Sequence, residues 1–346
     1  MTPPLVSVVI PHYNGVQILD RCLASLSAAT YPRLEIIVVD NGSTDGSADF
    51  VLRNYPRVRV LGLGVNRGFA GGCNAGISAA AGELVCILNN DTVHEPDWLD
   101  HLVRVLVRCK GIAAVQPKII SYQNRKKFDY SGACGGHIDW FGFPFARGRL
   151  FDSLENDYGQ YDDQAEIFWA SGTAFLAWRK ELIRAGLFHD WYFAHMEEID
   201  LQWRLHLMGG RILAVPEAVV YHHSGYTLKT GSWSKIYLNH RNSLVMIACN
   251  YSIPTLACLL PLRLLLDLAA GVKSLVSGDF KRAAAIPLAL AWLVAHPRRL
   301  KRARAAAQRV RRVSDAAVMA KMYNRSISLD YYIGGVRRYQ QLKSWM

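Results

Sequence analysis

The chain has 346 residues, 51% of them hydrophobic and 20% charged, with a formal net charge of +12. That is enough for one large domain with an appendage, or for two domains, and the apolar content excludes a disordered chain. Seven scattered cysteines, none at C-x-x-C spacing, exclude a disulfide scaffold and a zinc site and fit a reduced, cytosolic setting.

The first residues, MTPPLVSVVIPHYNG, carry no basic region ahead of an apolar stretch and no cleavage site, so they read as a first strand rather than a secretory signal. Residues 6–10 (VSVVI) predict a buried parallel strand, and 16–29 a helix with Ile18, Leu19, Cys22, Leu23 and Leu26 on one face. A second buried strand follows at 35–39 (EIIVV), then the polar turn DNGSTDG, a helix over 46–54 and a strand over 58–61. Residues 66–82 form a Gly-rich turn and a small-residue helix, and 84–88 (LVCIL) a fourth strand ending in Asn89-Asn90-Asp91. Residues 121–165 are irregular and look like an insertion over the site. Regular structure resumes at 166–177, with helices over 179–186 and 197–208 and a strand over 211–215. Alternating strands and helices predict an α/β fold around a mostly parallel sheet. Ligands of such sheets bind at the carboxyl ends of strands, and the polar clusters at 11–15, 40–45 and 89–92 all fall there.

Asp91, beside amide oxygens at a strand end, suits a hard divalent ion that also binds a diphosphate, although an ordinary Asx turn uses the same residues. Asp40 suits a nucleobase or ribose and is equally a turn former. Residues 66–74 (NRGFAGGCN) bring backbone amides and Arg67 toward a phosphate, without Walker A or G-x-G-x-x-G spacing. Glu197, Glu198 and Asp200 form the densest carboxylate cluster. The helix dipole explains acids in a first turn, while their aromatic surroundings suit a general base of raised pKa. His222 closes an apolar run and could complete a metal site with Asp91.

Six stretches in order, VSVVIPHYNG, IIVVDNGSTDGS, NRGFAGGCNAG, LNNDT, FAHMEEIDLQWR and AVVYHHSG, resemble the family-2 inverting glycosyltransferases, nearest to their bacterial rhamnosyltransferase-like branch. The resemblance spans roughly residues 5–245. It implies a GT-A fold, a nucleotide-diphosphate sugar donor, a glycan or lipid-linked glycan acceptor and a divalent metal, Mg or Mn. It puts Pro11, Tyr13 and Asn14 in the nucleotide pocket, Asp40 on the base or ribose, and Asn66, Arg67, Gly68 and Asn74 near the donor. Asn89-Asn90-Asp91 stands where the family has D-x-D, so metal binding falls on Asp91, with His222, and Asn90 lies by the donor. Glu198 takes the place of the usual base, with Asp200 or Glu197 as substitutes. The segment 237–242, with Arg241, is similar to the family's R-N segment and implies contact with donor phosphate or acceptor. A nucleotidyltransferase, or a scaffold that binds sugar nucleotides without transfer, are the competing readings.

The basic character belongs to the last quarter. Residues 251–346 hold 17 Lys/Arg against 4 Asp/Glu, whereas residues 1–250 hold 23 against 24. This divides the chain into a catalytic domain over 1–250 and a helical, basic region over 251–346. The apolar run 253–276 is interrupted by Pro254, Pro261, Arg263, Asp267 and Lys273, and at helical spacing Arg263, Asp267, Ala270 and Ser274 share one narrow face. A second apolar run, 283–295, leads into 298–312 with eight Arg/Lys. Apolar helices beside a polybasic stretch suit an anionic membrane surface, here the cytoplasmic face. Packing on the body, pairing with a second copy, or spanning the bilayer are the alternatives. The basic stretch lacks aromatic stacking groups, so a nucleic-acid partner is not expected.

Overall fold

The computed structural model describes residues 2–224 and 232–345; Gly225 of the last motif lies outside them. The first half runs β1 (Val6–His12), α1 (Val16–Ser27), β2 (Leu34–Asp40), α2 (Ser47–Asn54), β3 (Arg59–Gly62), α3 (Gly68–Ala79), β4 (Leu84–Leu88), β5 (Thr92–His94), α4 (Trp98–Arg108) and β6 (Ile112–Ser121). Four short strands follow, β7 (Gly136–Ile138), β8 (Pro144–Ala146), β9 (Arg149–Leu150) and β10 (Ser153–Leu154). Then come β11 (Ala165–Ile167), β12 (Ala174–Trp178), α5 (Arg179–Arg184), α6 (Glu197–Leu207) and β13 (Arg211–His222).

The main sheet has the order β11-β13-β6-β12-β4-β1-β2-β3, with β5 paired to β13. β4-β1-β2-β3 and β13-β6 are parallel, and β12 is inserted antiparallel between β4 and β6. The continuous apolar runs of β1, β2 and β4 reflect burial on both faces. Val8 and Ile10 meet Leu19, Leu23, Trp98 and Leu102 on one side. Val9, Ile37 and Val39 meet Ile77, Leu201 and Leu205 on the other. The small residues of α3 let it lie close to β1: a Cβ on Gly76 would come 2.2 Å from Val9 Cγ1.

Residues 121–165 are not a loose insertion. They form a four-stranded antiparallel sheet, β10-β9-β8-β7, whose core of Phe128, Phe145 and Tyr161 is closed by Tyr323, Ile327, Tyr339 and Leu342 from the far end of the chain. The carboxylate of Asp139 accepts from the backbone of Phe141, Phe143 and Ile327 and fastens the two together.

The remaining helices are α7 (Trp233–Asn250), α8 (Ile253–Val276), α9 (Phe280–Ala295), α10 (Pro297–Val310), α11 (Asp315–Met319) and α12 (Ile327–Tyr332). The run at 253–276 is not broken by its prolines. Pro254 sits at the start, where its missing N–H costs nothing, and Pro261 is carried inside one 24-residue helix. The buried residues of α8 are its polar ones, Arg263, Asp267 and Ser274. Arg263 Nε lies 3.0 Å from Asp267, and its Nη1 donates to Phe141 O at 2.6 Å and Ser243 Oγ at 2.9 Å. Leu262, Leu265, Leu268, Val272 and Leu275 face outward, an inversion of the usual amphipathic arrangement. α8 is long and apolar enough to cross a membrane, with a mean hydropathy of 1.8 over its best window. α9 and α10 pack back on α7, where Trp292 stacks on Trp191 with ring centres 5.5 Å apart.

Candidate active site

Three strand ends of the sheet build one rim. β1 leads through Pro11 to Tyr13, which is exposed, and to Asn14, whose φ of 56° turns the chain left-handed. Asn14 Oδ1 accepts from Thr44 N at 2.9 Å, and Asn14 N donates to Ser43 Oγ at 3.0 Å. The loops after β1 and β2 thus form one unit. Asp40 ends β2, buried, and accepts from Ser43 N at 3.0 Å. Asp45 accepts from Gly15 N and Val16 N and so caps α1 from the neighbouring loop. Burial alone would raise its pKa, but hydrogen bonds from Ser47, Gly15 and Val16 pull it down to about 2. Asn66 and Arg67 are exposed at the start of α3, where Asn66 Oδ1 receives Gly68 N at 2.8 Å. Gly68 has φ +71°, and a Cβ there would come 2.5 Å from Phe193 O, so this loop is pressed against the segment that leads to the acids.

At the end of β4, Asn90 bonds His12 Nδ1 at 2.7 Å. Asp91 and His222 are brought together, with Asp91 Oδ1 3.0 Å from His222 Nε2. The other ring nitrogen, Nδ1, lies 2.8 Å from Asp129, which also accepts from Ser224 Oγ at 2.8 Å. Burial would depress the imidazolium, but the Asp91 charge and the Asp129 hydrogen bond lift His222 to about 10. Asp91 Oδ1 is buried and no hydrogen bond is aligned on it. A carboxylate facing an imidazole nitrogen, with a second carboxylate orienting the far side of the ring, is a donor set that suits a divalent cation once the cation displaces the proton held between them. Among the described residues no cluster of three or more His, Cys, Asp or Glu could hold an ion.

Glu197, Glu198 and Asp200 all lie in the first turn of α6. The backbone before them is strained: Phe193, His195 and Met196 have φ of 66°, 69° and 68°, each an unfavourable state for a side-chain-bearing residue. Asn242, fully buried on α7, holds this segment by donating to Tyr192 O (3.2 Å), Ala194 O (3.0 Å) and His195 O (2.7 Å). Glu197 is buried beside Glu198. Burial first, then the Glu198 charge, raises the Glu197 pKa well above the ordinary range. Glu198 is half-buried and also raised by burial, an effect moderated by backbone N–H groups including Gly172 and by the Arg149 charge. One carboxylate oxygen on each has no hydrogen-bond partner.

Three expectations change here. Asp200 is not a free base, because Arg204 holds it at 2.8 Å and Asn250 at 2.7 Å in the interior. Arg241 does not face a phosphate. It is buried, donates to Trp191 O and Tyr192 O at 3.0 and 3.1 Å, and lies over the Trp292 ring. Asn74 bonds the backbone of Phe188 in both directions and Asp190, joining α3 to the 188–190 turn. In each case a polar side chain found backbone or charge partners inside the fold.

A short chain of contacts connects the acids to the strand end that bears Asp91. Gly172 N reaches the Glu198 carboxylate, and the next residue, Thr173, accepts from Asn89 N at 2.9 Å at the end of β4. Gln116 ties Ser171 N (2.7 Å) to Gly132 O (3.2 Å), which places the Asp129 loop alongside. The residues therefore offer a polar rim, a cation-suited pair and a raised carboxylate. Asp129 carried no strand-end signal, and its place in an irregular stretch hid it.

This sheet, with its ligand rim and the mixed insertion of β12, is the GT-A fold. The chain superimposes on GalNAc-T7 with UDP, GalNAc and Mn2+ (TM-score 0.57, 17% identity, 73% of this chain and about half, 49%, of that one). It also superimposes on a mannosyltransferase from Pyrobaculum calidifontis in complex with GDP-Man and Mn2+ (TM-score 0.51, 19% identity, 89% and 87% of the two chains). The model of glycosyl transferase family 2 matches residues 7–172. The chain is also 28% identical over 273 residues to the N-acetylglucosaminyl-diphospho-decaprenol L-rhamnosyltransferase of Mycobacterium tuberculosis, covering 73% of this chain and 86% of that protein. The family 2 match covers just under half of the chain, and the chain is similar, over that stretch and beyond it, to glycosyltransferases.

Proposed function

We propose that the enzyme transfers a sugar, rhamnose by preference, from a nucleotide diphosphate to a lipid-linked glycan, with inversion, in cell-surface polysaccharide synthesis. The observation that carries the reading is Glu198: a carboxylate of raised pKa with a free oxygen, one short turn away from the strand end that bears Asp91. In this reading Glu198 takes the proton of the acceptor hydroxyl as that oxygen attacks the anomeric carbon from the face opposite the leaving group. The carbon–oxygen bond to the diphosphate breaks, and its electron pair leaves with the nucleotide. Asp91 and His222 would hold a divalent cation, Mg or Mn, which neutralises charge gathering on the departing diphosphate. Asp129 keeps the His222 ring turned toward Asp91. The rim of Pro11, Tyr13, Asn14 and Asp40 receives base and ribose, with Asn66, Arg67, Gly68 and Asn90 toward the sugar-phosphate side. The rhamnose preference rests on the distant mycobacterial relative.

Residues 251–346 would attach the enzyme peripherally to the cytoplasmic face of the membrane. Support comes from the outward leucines of α8 and from α10, where Arg298, Arg299, Lys301 and Arg302 are exposed. The buried Arg263–Asp267 pair argues against spanning, since that face is already committed to the body.

Transfer assayed over a panel of nucleotide sugars, with Mn or Mg, tests the reading. Glu198→Gln is expected to bind the nucleotide as the wild type does and to lose turnover. Wild-type rates in that variant would remove Glu198 as the base.

A further inference from the structure

Next to Glu198 stands a group of cationic side chains that the transfer step above does not use. Arg149, on β9, is only 9% exposed, yet its Nε has no hydrogen-bond partner, and it forms no ion pair among the described residues. The guanidinium lies over the ring of Tyr130, 4.2 Å from its centre. Lys235, in the first turn of α7, has its ammonium 5.2 Å from the same ring and is likewise without an ion pair among the described residues. His195 stands near Lys235, half-buried, with Nε2 unpartnered. Burial, reinforced by the Lys235 charge, lowers its pKa to about 4, so the ring is neutral and free to donate.

Leaving a nearly buried arginine without an anion costs folding free energy. Such a cost is expected where an incoming ligand supplies the missing charge. The position narrows the ligand. Tyr130 follows Asp129, which orients His222, and Arg149 is close enough to Glu198 to stabilise its charge. The group therefore borders both Glu198 and the Asp129–His222 pair. Two cations close to one aromatic ring suit a diphosphate better than a single carboxylate.

We propose that Arg149 and Lys235, both against the ring of Tyr130, bind the diphosphate of the acceptor's lipid carrier and so hold its terminal sugar against Glu198. The inference rests on the glycosyltransferase reading and deepens its acceptor. The donor also carries a diphosphate, and the experiment separates the two.

Calorimetric titration of the full chain with farnesyl diphosphate is the direct measurement, with farnesol as the uncharged control and UDP, GDP or dTDP with Mn2+ as the donor-side control. The wild type is expected to bind farnesyl diphosphate and to ignore farnesol. Arg149→Gln and Lys235→Gln should each weaken farnesyl diphosphate by about tenfold, the loss of one charge-assisted contact, with Arg149→Lys recovering part of it. Nucleotide affinity in the same variants should stay within twofold of wild type, which also shows that they are folded. Equal weakening of the nucleotide would assign the cations to the donor and overturn the proposal, as would unchanged farnesyl diphosphate affinity. Wild-type protein that binds none of UDP, GDP and dTDP with Mn2+ would instead refute the glycosyltransferase reading itself.

Discussion

Asn242→Ala isolates the link between the C-terminal helices and the catalytic acids. The Asn242 amide supplies two N–H donors shared over three carbonyls of the segment 192–195, and its Oδ1 accepts Arg241 Nε at 2.8 Å. Two neutral hydrogen bonds contribute about 1 kcal/mol each, and the charged one about 2 kcal/mol. The substitution should therefore cost about 4 kcal/mol, or a fall in Tm of about 5 °C. The strained φ values at Phe193, His195 and Met196 would then relax, and the first turn of α6 would shift with them. A displacement of about 1 Å at a catalytic group costs about 100-fold in rate, so kcat should fall far more than nucleotide affinity. Differential scanning calorimetry, nucleotide titration and steady-state transfer read these three quantities. A variant that melts within a degree of wild type and transfers at the wild-type rate would refute the reasoning. Asn242→Asp keeps the acceptor for Arg241 but faces a carboxylate toward three carbonyls, and it should be more damaging than Ala.

Glu197→Gln should stabilise the protein in a pH-dependent way. The folded pKa of Glu197 is raised above the ordinary 4.5, so wild-type stability is lost as pH climbs from the unfolded value through the folded one. The variant's gain in Tm should be absent at pH 4 and present at pH 8; a gain that does not change with pH would contradict this. Asp129→Asn removes the carboxylate that holds His222 Nδ1 and should raise the Mn2+ concentration for half-maximal activity by about 10- to 100-fold, read from a metal titration. Asp267→Leu leaves Arg263 buried and unpaired and should cost about 3–5 kcal/mol, while Arg263→Met with Asp267→Leu should restore most of that, measured by urea unfolding. Leu265→Glu with Leu268→Glu changes only the outward face of α8 and should abolish sedimentation with anionic liposomes without lowering Tm; unchanged sedimentation would remove α8 from the attachment surface.

Much of this protein is local in origin. The apolar runs of β1, β2 and β4 can only be strands covered on both faces, and the polar residues that follow them must fall at one edge of a parallel sheet. The three acids open a helix because the apolar spacing after them is helical, and Arg263, Asp267 and Ser274 share a face because 100° per residue puts them there. Periodicity says which residues lie together along one element, but not which element each face meets. The polar face of α8 turned inward because Phe141 O and Ser243 Oγ were there to receive Arg263. Arg241, Asn74 and Asp200 look like ligands in the sequence and became struts and ion-pair members, because strained carbonyls, a backbone turn and Arg204 lay within reach. Asp129 came to His222 from 93 residues away, a pairing that only the β-sheet of the middle region could bring about. Residue type and spacing settled the chemistry on offer; long-range packing, through the partner each polar group found, decided which of those groups remained free to act.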